Sequence, residues 1–140
     1  MSKASISAWS KGTLLVERVP ISAADELADR IGKVRWLREH HLWEILRTLP
    51  LLGEARDDDG FRAGFRKVMA RDDLETASRM LLDAARPACR LDCLRFIDGV
   101  WVARIVSESA VPRAVAVHPH RISAVMAALV ALNRAAPTKH

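Results

Sequence analysis

No uninterrupted apolar stretch in this 140-residue chain reaches the ~18 residues needed to cross a bilayer, which excludes a helical membrane span. Cysteine occurs only twice, as Cys89 and Cys93. Two are too few for the disulfide framework of a small secreted domain, and they lie too close in sequence for a useful structural bridge. The opening MSKASISAWSKG has no apolar core of a signal peptide, so a cytoplasmic protein with reduced thiols and no membrane partner is expected. Glycine-rich phosphate loops, a nucleophile elbow and an HExxH helix are all missing. The run Asp57-Asp58-Asp59-Gly60 lacks the alternating ligands and terminal Glu of a calcium loop. No cofactor is implied by any motif.

Hydrophobic residues make up 50% of the chain and charged residues 28%, the balance of a folded globular domain rather than a disordered segment. A length of 140 residues suits one domain spanning 1–140, with about 1–8 and 135–140 frayed. The formal charge is +5, but it is unevenly placed: residues 1–60 carry nine basic and ten acidic side chains, residues 61–140 thirteen and seven. This diffuse C-terminal surplus permits a nucleic-acid partner without forming a basic tract. Arginine outnumbers lysine 17 to 5, which suits bidentate anion binding and equally reflects a GC-rich coding sequence of bacterial type.

The strongest local signal is Arg90 to Val106, where Asp98-Gly99 divides two runs rich in β-branched, aromatic and aliphatic residues. A type I′ turn closed by Ile97 and Val100 then pairs Phe96 with Trp101, Leu94 with Ala103 and Asp92 with Ile105 on a core face. Arg95 with Val102 and Cys93 with Arg104 fall on the other face.

Upstream, Thr13–Ile21 reads as a strand ended by Pro20, and Ser22 with Asp25 as a helix start. Leu27, Ile31 and Val34 begin an apolar stripe that runs, with a break or kink near Gly32, to a stop before Pro50: one long helix or two in succession. Leu51 to Asp59 reads as a loop. The acidic clusters at Asp57–Asp59 and Asp72-Asp73 open two amphipathic helices, with stripes through Phe61, Phe65, Val68 and Met69 and through Leu74, Ala77, Leu81 and Ala84. Arg113–His118 alternates as a further strand. The last helix, with Ile122, Val125, Met126, Leu129 and Leu132 on one face and alanines around the rest, must be buried, either under the sheet or in a homodimer interface. The class is α+β: an N-terminal strand, several amphipathic helices, an antiparallel hairpin or sheet, and a buried C-terminal helix.

Four groups of residues could carry function. Cys89, Cys93, His118 and His120 are zinc-type donors, but their spacings match no zinc module, and small buried cysteines beside helix-terminal histidines account for them. Trp36, His40, Trp43 and Arg47 share one side of a continuous helix at i, i+4, i+7, i+11, and Trp and Arg are frequent binding hot spots; covered core tryptophans are the alternative. Arg66, Lys67, Arg71 and Arg79 lie on two helices followed by a hairpin, the order of a winged helix, although Asp73 and Glu75 open the would-be recognition helix where phosphates should lie. His40-His41 with Glu39 and Glu44, and the Asp57–Asp59 run, could serve acid–base chemistry or magnesium, but capping explains the aspartates. The sequence thus points to a non-catalytic protein, a regulator, inhibitor or immunity-like factor, that binds a protein partner through Trp36, His40, Trp43 and Arg47. A nucleic-acid-binding regulator and a small enzyme or metal protein stand as alternatives.

Overall fold

The computed structural model describes residues 23–108 and 113–135. Thr13–Ile21, read above as a strand, and Ser22 lie outside them. The described elements are α1 (Ala23–Lys33), α2 (Glu39–Thr48), a 3-10 turn (Pro50–Leu52), α3 (Gly53–Arg56), α4 (Asp59–Ala70), α5 (Leu74–Ala84), β1 (Cys89–Ile97), β2 (Val100–Ser107), β3 (Arg113–His118) and α6 (Arg121–Ala135). The fold is α+β, with an antiparallel sheet in the order β1-β2-β3.

Chain chemistry sets the helix boundaries. Asp58 starts α4 by accepting from the N–H groups of Gly60 and Phe61 at 2.9 and 3.2 Å, and Asp73 starts α5 by accepting from Thr76 N–H at 3.1 Å. Both acidic clusters are helix starts, as their sequence implies. The segment after Pro50, expected to be a loop, instead turns into a 3-10 turn and the short α3. Leu52 and Ala55 are buried there, so packing organises a segment whose local signals favour a turn.

The continuous helix from Leu27 to Leu49 does not form. Helix α1 stops at Lys33, residues 34–38 cross as a loop, and α2 starts at Glu39. The stripe through Leu27 and Ile31 is buried in α1, whereas α2 buries Leu42, Ile45 and Leu46. With Leu37 also 9% exposed, the interruption lets two apolar faces of different direction reach the same core.

The hairpin turns where predicted. Asp98 and Gly99 have φ of 52° and 83°, and the register pairs Ile97 with Val100, Phe96 with Trp101, Arg95 with Val102, Leu94 with Ala103 and Cys93 with Arg104. Beyond Cys93 the alternation breaks at a bulge: Leu91, not Asp92, lies opposite Ile105. Placing Asp92 beside fully buried Ile105 would strand a carboxylate in the core. The extra residue lets Leu91 take that place and turns Asp92 to the other face, where Arg90 and Arg104 hold it at 3.0 and 2.6 Å. Near the turn the expected core face is not covered, and Phe96 stays 58% exposed against Trp101.

Helix α6 packs against β2 and β3 on one side and α1 and α5 on the other. Ala124, Met126, Ala128, Leu129 and Val130 are completely buried, which explains a helix apolar almost all round. Of the two places open to α6, the structure takes the one beneath the sheet. Most of its apolar surface is thereby covered within the chain, while Ile122, Ala127 and Ala131 remain partly exposed.

Candidate functional site

The loop 34–38 positions the site. Its Trp36 is 59% exposed, and its indole lies on the His120 ring with centroids 4.0 Å apart. His120 is fixed at the start of α6, where its carbonyl accepts from Ala124 N–H at 2.9 Å. Its own N–H donates to Nδ1 of buried His118 at 3.1 Å. Because Nδ1 is an acceptor, the His118 proton sits on Nε2, which donates to the Val34 carbonyl at 3.0 Å. Burial, with His120 close by, lowers the pKa of His118 and favours this neutral tautomer.

On α2, Nδ1 of His41 accepts the Arg38 backbone N–H at 2.9 Å, so His41 closes the helix start from the third position. Burial and the adjacent His40 lower its pKa as well. His40 is exposed and its ring lies 4.1 Å from that of His41. Trp43 is half-buried, edge-on to Phe65 at 4.9 Å, with the Arg66 guanidinium 5.9 Å over its ring.

Trp36, His40 and Trp43 therefore meet although they do not share a helix, and they line an open groove of about 660 Å³ together with Leu37, Arg38, Glu39, Asp72 and Leu74. Arg47 is exposed on α2 but does not line it. The stripe expected on one continuous helix is thus corrected: Trp36 enters from the loop before α2. Asp72 and Leu74 come from the α4–α5 turn, and no local signal in the sequence links them to Trp36. Asp72 holds a φ of 58°, a left-handed conformation that non-glycine residues rarely adopt.

Arg66, Lys67, Arg71 and Arg79 are all exposed on α4, its end and α5. Arg79 faces Glu75 at 3.6 Å, and Glu75 is itself bonded by Arg121 at 2.7 Å, which lowers its pKa. The zinc-type donors are not assembled. Cys93 is on the sheet face away from α6, whereas His118, opposite Trp101, faces inward. Cys89 packs inward near Leu82, and burial raises its thiol to about 11. No group of three or more metal-type donors occurs among the described residues. The acid–base candidates have structural partners: Glu44 pairs with Arg30, Asp59 with Arg62, and Asp58 caps α4.

Nothing matched the chain in comparisons with family models, curated proteins and solved structures. Function therefore has to be argued from the groove itself.

Proposed function

We propose that this is a small non-catalytic cytoplasmic protein, a regulator, inhibitor or immunity-like factor, that binds a protein partner in the groove of Trp36, His40 and Trp43. The observation that carries this reading is that Trp36 is 59% exposed yet already stacked on His120 at the groove's lip. A large aromatic surface held in place before binding loses little side-chain entropy when a partner covers it, which is the economy of a hot spot. Leu37, Leu74 and Trp43 supply an apolar floor, and Arg38, Glu39 and Asp72 supply a rim of both charge signs. Such a rim suits a protein segment better than a polyanion.

The discriminating variant is Trp36→Ala, because Trp43 also packs against Phe65 in the core. The tagged chain, purified from its own organism and sized with light scattering and mass spectrometry, should carry a protein in fixed ratio. Trp36→Ala should lose that protein while keeping the wild-type circular dichroism and melting temperature. A partner retained by Trp36→Ala, or a wild-type chain that elutes alone, sinks the reading.

A second reading, a nucleic-acid-binding regulator, draws on the exposed Arg66, Lys67 and Arg71 beside aromatic rings that could stack on bases. It requires DNA or RNA affinity that falls steeply with salt and weakens in Lys67→Glu. Absent or salt-insensitive binding removes it.

A further inference from the structure

The sheet has a second face that nothing among the described residues covers. With Ala103, Ile105, Ala114 and His118 turned toward α6, alternation sends Ile97, Val102, Val106, Val115 and Val117 outward. Val115 and Val117 are 54% and 57% exposed, and Ile97 is 43% exposed. These are three of the five exposed large hydrophobic residues among the described residues, gathered on one side of one sheet.

The charges on this face are almost all of one sign. Arg90, Arg95, Arg104 and Arg113 project from the same face, against a single carboxylate, Asp92. Asp92 is bonded by Arg90 and Arg104, and those bonds lower its pKa, so it stays ionised and offsets one of the four cations. Arg95 and Arg113 flank the valines at the two edges and are exposed.

From this pattern we infer that the outer sheet face is a docking surface, separate from the groove, for an acidic protein whose contact has an apolar centre and a carboxylate rim. Aliphatic side chains lie between exposed Arg95 and Arg113 at the two edges, with Arg104 of the central strand tied to Asp92, so a partner must bring apolar surface to the middle and anions to the edges. A second copy of this chain is a poor occupant, because a two-fold contact would set two faces with an excess of arginine over carboxylate against each other. Nucleic acid is also a poor fit: the centre of this face has no aromatic ring to stack on a base and no amide side chain to read one.

The probe is a photo-reactive benzoylphenylalanine introduced at position 117 of the full chain in cells of its own organism. Adducts are identified by mass spectrometry in four backgrounds: unmodified, Arg95→Glu/Arg113→Glu, Lys67→Glu/Arg79→Glu with the same charge change on α4 and α5, and Trp36→Ala. The expected result is one acidic protein, lost in Arg95→Glu/Arg113→Glu but kept in the other two, all variants retaining native circular dichroism. The purified pair should then bind about tenfold or more weakly after that double reversal. An adduct between two copies, an adduct to nucleic acid, no adduct, or a protein adduct indifferent to the reversal overturns the proposal. An adduct lost only in Trp36→Ala also overturns it and assigns the capture to the groove, so the two readings fail separately.

Discussion

His118 and Val34, 84 positions apart, are joined by a bond from the imidazole Nε2–H to the main-chain carbonyl at 3.0 Å. The bond ties the end of β3 to the loop that presents Trp36, and the other ring nitrogen receives the N–H of His120, on which Trp36 lies. One neutral imidazole thus holds both the loop and the ring beneath the exposed indole.

Acid should loosen this arrangement. His41 and His118 both have pKa values below their ordinary 6.5, because burial disfavours the charged ring, so the unfolded chain binds protons first as pH falls. Their contribution is complete above 6.5 and is lost as pH drops from there through the folded values. Urea unfolding at pH 7.5 and pH 5 should show lower stability at pH 5. In His41→Asn/His118→Gln, where amides can replace the hydrogen bonds without titrating, the difference should shrink. An unchanged difference would mean that other groups control it.

Arg56 closes the end of α2. Its guanidinium donates to the carbonyls of Arg47 at 2.6 Å and Leu46 at 3.2 Å in the last turn of the helix, and at 3.4 Å to that of Leu49, which also accepts from Leu52 N–H. Arg56→Ala should cost about 2 kcal/mol, and Arg56→Lys should recover less than half, since an ammonium cannot reproduce the planar fork. Chemical denaturation of the two variants decides this; full rescue by Lys would reduce the role to charge alone.

Asp72→Gly should raise stability by about 0.5 to 1 kcal/mol, because glycine adopts the left-handed conformation at this turn without the Cβ clash. Asp72 also lines the groove. The same variant should therefore bind the groove's partner more weakly, the pattern expected when a strained residue is kept for contact rather than for folding. A variant that is both more stable and fully binding would show that the carboxylate has no role there.

At neutral pH the two thiols should react unequally. Cys89 titrates near 11 because burial opposes its thiolate, while Cys93 sits on the open sheet face. Ellman's reagent on Cys93→Ser should show almost no reaction until denaturant is added, whereas Cys89→Ser should react in the native state. Raising the pH above 9 should also destabilise the fold, since the unfolded thiol ionises at 9.0 and the folded one only near 11.

Much of the fold was legible where a local constraint has one solution. Asp98-Gly99 dictates a tight turn, and the turn dictates the register as far as Cys93. The alternation of Arg113–His118 and the caps at Asp58 and Asp73 are likewise local facts. The bulge at Asp92 was not legible, because a period-two pattern carries no mark of an inserted residue until a charged side chain meets a buried neighbour. The break between α1 and α2 was legible in part: Gly32 marks the last turn of α1, but residues 34–38 contain no proline or glycine to show that they form a loop rather than a kink. For the candidate site, the aromatic residues were legible as residue types. Their meeting with His120 and Asp72 depends on long-range packing.

The arrangement around α6 also has a consequence for the order in which the protein takes shape during synthesis. Helix α6 follows α1 and the hairpin in the chain, so the inner sheet face and the side of α1 that meet it lack that cover when they are first made. Those contacts close only after residues 121–135 are made, which places the step that joins α1 to the sheet after the synthesis of both.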